Sequence, residues 1–332
     1  MVPDADRPPY LPLPPLGALA RRTFVQGVLT PTIASVPQIT HRLPRGRRRL
    51  VGLRVDRDVR YADDDPAQRL DVIRLDHDDQ VRPALVYVHG GGFMACSKKT
   101  HISIAIAFAR RGFVVFNLDY RLAPRHRFPA AFDDVSAALR WIDAHAAAYG
   151  ADPARLVLAG ESAGANLILG AAVAGAYRLD RPSARALFDQ GIAPVAALPA
   201  CGILQVSDVA RLWHERPEIP PFVRQLLRAM EEAYLGPGRH TPGAEPLADP
   251  LVLLETRAPE RPLPPVFAFA GSEDPVMADT VRLEAALGHD GAAGATRIYD
   301  GEPHAFHALP WRPKAQECWN AMDAFLDTHA PR

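Results

Sequence analysis

The sequence predicts an α/β fold with a mostly parallel central sheet covered by helices on both faces. Three observations predict it. Short apolar runs, among them Ala84-Leu85-Val86-Tyr87-Val88 and Phe113-Val114-Val115-Phe116-Asn117-Leu118, suit strands buried on both faces. Segments with apolar residues at three- and four-residue steps alternate with these runs, as helices laid on a parallel sheet do. A glycine-flanked serine, Gly160-Glu161-Ser162-Ala163-Gly164, directly follows another run, Arg155 to Ala159. Glycines around such a turn leave room where the backbone is crowded.

Composition narrows the function classes. A chain of 332 residues is long enough for one large core. With 38 Lys+Arg against 38 Asp+Glu the formal net charge is zero, so there is no electrostatic case for a nucleic-acid partner. A small neutral molecule suits this balance better. Cys96, Cys201 and Cys318 are odd in number and lack CxxC spacing, which suggests neither a disulfide framework nor a zinc site and favours a reducing compartment. No stretch of 18 or more uncharged apolar residues occurs and the N-terminus carries no signal-like pattern, so a soluble cytoplasmic protein without stable membrane insertion is expected.

The elements follow in order. Residues 1–50 read as a proline-rich then basic arm, with a short helix expected around Leu16 to Val28, expected to wrap the domain and contribute to a cap; a membrane-surface or partner-docking segment is its sharper alternative. Strands are expected at Val51 to Asp58, Leu70 to Leu75, Ala84 to Val88 and Phe113 to Leu118, with a helix from His101 to Arg111 that Gly112 stops. Phe132, Val135, Leu139, Ile142, Ala146 and Tyr149 make one helical stripe ending at Gly150. Asp152-Pro153 turns the chain into the strand before Ser162, and Ala163 to Ala176 forms the helix behind it. After the apolar run Val195 to Val206 the composition shifts. Residues 207–248 carry a helix with Val223, Leu226, Leu227, Met230 and Tyr234 on one side, stopped at Gly236-Pro237, and read as a cap insertion. The core thus comprises 51–206 and 249–332, closing with strands at Pro265 to Ala270 and Thr296 to Tyr299 and a helix from Lys314 to His329.

The chemistry lies in the loops. A serine hydroxyl needs a base to remove its proton, and an imidazole base needs a third group to fix its tautomer. Ser162, His304 and Asp274 fit these roles in chain order Ser, Asp, His. Glu273 and Asp279 compete with Asp274 as the acid; Asp274 stands just past a strand and before Pro275, at the carboxyl edge of the sheet, whereas Asp279 suits a helix start or a supporting carboxylate. His307 competes with His304 as the base. The run His89-Gly90-Gly91-Gly92-Phe93 lacks the residues of a P-loop or a dinucleotide fingerprint. It suits an oxyanion loop, in which Gly91 and Gly92, with Ala163, present backbone N–H groups while His89 and Gly90 shape the turn. Glu161 supports the serine. Nothing points to a metal or an organic cofactor.

These segments, together with Asp119-Tyr120-Arg121-Leu122-Ala123-Pro124, Asn166, Asp274-Pro275-Val276 and His304-Ala305-Phe306, resemble the hormone-sensitive-lipase family of carboxylesterases, which have the α/β-hydrolase fold. The resemblance spans residues from about 85 to 306. It implies cofactor-free hydrolysis of short- to medium-chain acyl esters through an acyl-enzyme, under a cap built from the N-terminal arm and the insertion. Departures from the family pattern are Arg125 where Glu is frequent, Glu161 where Asp is common, and Ala278 where a carboxylate often stands. A deacetylase or amidase with the same triad is the nearest alternative. A non-catalytic ligand receptor on the same scaffold is the alternative from another class; it would be expected to have lost a triad residue, and all three are present. An edge strand or the cap offers a surface for a homodimer.

Overall fold

The computed structural model describes residues 50–77, 79–238, 240–289 and 294–332. The expected arm over residues 1–50, its helix at Leu16 to Val28 included, falls almost wholly outside the described residues.

Eight strands form one sheet in the order β1-β2-β4-β3-β5-β6-β7-β8. They are β1 (Leu53–Arg60), β2 (Arg69–Leu75), β3 (Arg82–Val88), β4 (Val114–Leu118), β5 (Ala151–Glu161), β6 (Ala196–Ala200), β7 (Val266–Gly271) and β8 (Gly294–Tyr299). Only β2 runs antiparallel to its neighbours β1 and β4; β3 to β8 pair in parallel. The helices are α1 (Ile102–Arg110), α2 (Ala130–His145), α3 (Ala163–Ala176), α4 (Pro182–Gln190), α5 (Arg211–Glu215), α6 (Pro221–Leu235), α7 (Pro250–Thr256), α8 (Met277–His289) and α9 (Pro313–His329).

Successive residues of a strand face opposite sides of its sheet, and here both sides are covered. Ala84, Val86 and Val88 of β3 join a core with α2 and α3, whereas Leu85 and Tyr87 join a second core with α1 and with Cys318, Met322 and Leu326 of α9. Such double burial is why these strands read as unbroken apolar runs rather than as alternation.

Three local expectations need correction. Asp152-Pro153 is not a turn: Ala151 and Asp152 pair with Arg82 and Pro83, so β5 begins earlier than its apolar run suggests. The apolar run Val195 to Val206 is strand only as far as Ala200, because Cys201 takes a left-handed φ of 40° and leads the chain out of the sheet. Helices α4 and α7 were not expected; each is under ten residues and begins with proline, so the periodic signal is short.

Residues 207–248 leave and rejoin the core at nearly one point. Asp249 accepts hydrogen bonds from the backbone N–H groups of Val206, Ser207 and Gly243, and the Asn166 side chain donates to the carbonyls of Ile203 and Ala248, both at 2.9 Å. From between these joined ends, Met230 and Tyr234 of α6 reach back to the loop after β3.

Candidate active site

The site is assembled where strands end. Ser162 stands between the last residue of β5 and the first of α3, with φ 55° and ψ −116°. This backbone is costly for a residue bearing a Cβ, and the surroundings hold it. The Ser162 N–H donates to the carbonyl of Ala200 at 2.9 Å, and the Ser162 carbonyl accepts from Asn166 N–H. Gly164 permits the close approach of α3 to β3, since a Cβ there would meet the Val88 carbonyl oxygen at 2.1 Å. Ala163 is the first residue of α3, so its N–H lacks a partner within the helix and lies at the positive end of the helix dipole.

The glycine loop follows β3. Gly91, Gly92 and Phe93 have successive φ values of 114°, 59° and 60°. Gly91 meets a double constraint, because a Cβ on it would also lie 2.3 Å from the Ala95 carbonyl oxygen. The loop is pinned from several sides. Met94 and Ala95 N–H groups donate to the Gly91 carbonyl at 3.1 Å, Ala123 N–H donates to the Phe93 carbonyl, and the Tyr120 hydroxyl donates to the His89 carbonyl at 3.0 Å. Just beyond, the buried Lys98 ammonium bonds Asp58 at 2.6 Å and Asp71 at 2.5 Å, while its backbone N–H donates to Asp119.

Asp274 follows β7 and is fully buried. Its Oδ1 accepts from Val276 N–H at 2.9 Å, and its Oδ2 lies 2.8 Å from His304 Nδ1. The His304 ring is 38% exposed, so its other edge is open to the site. Desolvation lowers the imidazole pKa, but the Asp274 charge and hydrogen bond outweigh it and raise the pKa to about 8. Among the competitors, Asp279 is buried and accepts from Leu204 and Gln205 N–H and from Arg211, which fixes the chain after β6. His307 faces Glu161 instead of Asp274.

The buried Cys201 thiol links the halves. It sits against the backbone N–H groups of Ser162 and Ala305, and within 4.8 Å of the donor atoms of Asp274 and His304. Burial pushes this thiol well up. Cys201, Asp274 and His304 thus present three potential metal donors, two of which are engaged with each other. Among the described residues no hydrogen bond reaches the Ser162 hydroxyl.

A family model described as the alpha/beta hydrolase fold matches residues 85–308, a span that runs from β3 to just beyond His304. The chain belongs to the α/β-hydrolase family, in its hormone-sensitive-lipase-like branch. The chain is 31% identical over 276 residues to an acetyl-hydrolase of Streptomyces hygroscopicus, covering 78% of this chain and 82% of the relative. It is 48% identical over 86 residues to the carboxylesterase NlhH of Mycobacterium tuberculosis, an alignment covering 26% of this chain and 27% of the relative's length. The esterase LipW of Mycobacterium marinum shares its fold with a TM-score of 0.75 at 23% identity, over 94% of this chain and 91% of the other.

The site also carries contacts that no sequence pattern marked. From the insertion, Met230 of α6 packs over Gly92, whose Cβ position lies 3.3 Å from Met230 Cγ, and Tyr234 stacks on Phe93 with ring centroids 3.8 Å apart. Arg216 donates to the Asp274 carbonyl at 2.7 Å. His101 bonds Glu161 at 2.9 Å. Met230 and Tyr234 were visible as a helical stripe without a target; Arg216 and His101 had no signal at all, being far in sequence from what they touch. No helix among the described residues is long and apolar enough to cross a membrane.

Proposed function

We propose that this hydrolase is a serine carboxylesterase acting on short- to medium-chain acyl esters, without a cofactor. The observation that carries the reading is the Asp274–His304 hydrogen bond beside a serine held at φ 55°. Asp274 holds the proton on His304 Nδ1, which leaves Nε2 as the base. Nε2 takes the Ser162 proton as Oγ attacks the ester carbonyl carbon, and the carbonyl π electrons move to oxygen. The N–H groups of Gly91, Gly92 and Ala163 receive that oxyanion. Collapse expels the alcohol with the proton from His304, and water attacks the acyl-enzyme by the same route in reverse. His89 and Gly90 shape the oxyanion loop and Glu161 supports the elbow.

Residues 207–248 serve as the cap. Met230 over Gly92 gives the acyl site a low apolar roof, which favours a short acyl group. The relative named as an acetyl-hydrolase gives a second reading, removal of acetyl groups from a bulkier alcohol, the same support. Three free cysteines fit a reducing, cytoplasmic setting. A homodimer through β1, β8 or the cap would leave the site intact.

The test is hydrolysis of p-nitrophenyl esters from acetate to palmitate beside Ser162→Ala. A maximum at short or medium chains that vanishes in the variant is expected. Equal turnover by the variant refutes the serine mechanism, and a maximum at palmitate refutes the chain-length reading.

A further inference from the structure

Next to Ser162 in sequence, at Glu161, three ionisable groups meet in the protein interior. Glu161 Oε1 lies 2.9 Å from His101 Nε2, and Glu161 Oε2 lies 3.3 Å from His307 Nε2. All three side chains are at most 12% exposed. His101 is held from its other edge by the Thr100 hydroxyl at 2.7 Å from Nδ1, and its ring stacks on His89, which in turn stacks on Tyr120. His307 is anchored through its carbonyl by the Trp319 indole N–H at 3.0 Å. Gly90 packs on Glu161, whose Cγ lies 3.1 Å from the glycine's Cβ position.

These contacts link the three moving parts of the proposed reaction. Glu161 precedes the nucleophile, Gly90 precedes the two oxyanion glycines, and His307 follows the base by three residues. We propose that His101, Glu161 and His307 form a buried charge clamp that positions the oxyanion loop and the His304 loop against the nucleophile elbow. The clamp rests on the serine-esterase reading, and its members are positioning residues that do not touch the substrate.

Electrostatics explains why a charge is retained there. Burial works against the Glu161 carboxylate, yet the His101 charge and hydrogen bond, with His307 Nε2 close by at 3.3 Å, hold its pKa well below the usual carboxylate range. Burial likewise opposes the His101 cation, and Glu161 outweighs it and raises its pKa. Besides His304, the titratable groups facing the cluster are neutral: Tyr87 of β3, Cys96, Tyr120 and Cys201 are pushed up, and His89 is pushed down to about 3, in each case chiefly by burial. Removing one partner therefore leaves its opposite uncompensated in a low-dielectric pocket, which is the costly way to break a buried pair. The clamp also reaches the base, because the Glu161 charge helps to raise the His304 pKa.

The test uses Glu161→Gln, Glu161→Asp, His101→Gln and His307→Gln in the full chain, with folding checked by circular dichroism. Folded Glu161→Gln, His101→Gln and His307→Gln are expected to lose about 10- to 100-fold in kcat with KM within about twofold, as small misplacements of reacting groups do. Glu161→Asp, which keeps the charge, should recover part of the loss. The acid limb of kcat/KM should move in opposite directions: upward in His101→Gln, where Glu161 is left uncompensated, and downward in Glu161→Gln, where its field is gone. A loss of packing alone does not produce opposite shifts. If Glu161→Gln fails to fold, the two histidine variants give the same reading. Wild-type kcat with an unmoved limb in the folded variants overturns the clamp. Fluorophosphonate labelling of the wild type tests the underlying reading separately: an unlabelled Ser162 sinks both, whereas labelling with unaltered variant kinetics sinks the clamp alone.

Discussion

The two halves of the site are built from different material. On the proposed reading one side is the oxyanion loop and the nucleophile elbow, where the working groups are main-chain N–H groups and the geometry is set by left-handed backbone at Gly91, Gly92, Phe93 and Ser162. On the other stand Asp274 and His304, where side chains do the work and a 2.8 Å hydrogen bond sets the geometry. The first half has no titratable group among its working donors, so the donors themselves do not change with pH. The second is tunable, because the hydrogen bond that aims the imidazole also sets its proton affinity.

Substitutions can separate the halves. Ser162→Ala, where they meet, should remove turnover almost entirely, a loss of at least about 10⁴-fold in kcat measured on p-nitrophenyl butyrate. Next in size, Asp274→Asn should cost about 10⁴-fold or somewhat less. It should also shift the pH profile. Below a pKa of about 8 the base is protonated and idle, so wild-type kcat/KM should climb with pH and level off above that value. Without the Asp274 charge the His304 pKa falls, and the climb should begin at lower pH. Gly91→Ala should cost about 10²- to 10³-fold, because its Cβ would press on the Ala95 carbonyl and displace an oxyanion donor. It should leave the position of the pH limb where it was. A limb that moved equally in Gly91→Ala and Asp274→Asn would erase the distinction between the halves. The smallest effect should come from Met230→Ala, which opens the roof over Gly92. A few-fold change in KM is expected, with the optimum acyl chain lengthened and kcat little altered; unchanged chain preference would remove Met230 from the acyl pocket.

The same contrast explains what was legible in the sequence. A backbone that only glycine tolerates leaves a mark, so Gly90-Gly91-Gly92 and Gly160-Glu161-Ser162-Ala163-Gly164 announced their loops before any coordinates. Parallel strands buried on both faces left another mark in runs such as Leu85 to Val88. A side-chain site leaves only a residue type. Asp274 was separable from Asp279 by its place at a strand end, but the partner that makes Asp279 structural, the chain at Leu204 and Gln205, is 75 and 74 residues away. His101 and Glu161 meet across 60 residues, a distance at which no periodicity operates. Short helices such as α7, with seven residues, span too few turns to show a stripe.

The stacking of Tyr234 on Phe93 has a consequence for grafting. The helix that roofs the pocket also supports a residue of the oxyanion loop held at φ 60°, through a ring contact of 3.8 Å. Residues 207–248 are therefore not a freely interchangeable lid. A chimera that replaced residues 207–248 to change substrate range would take away a prop of the loop proposed to hold the oxyanion, and would need a flat ring at the position of Tyr234 to keep its rate.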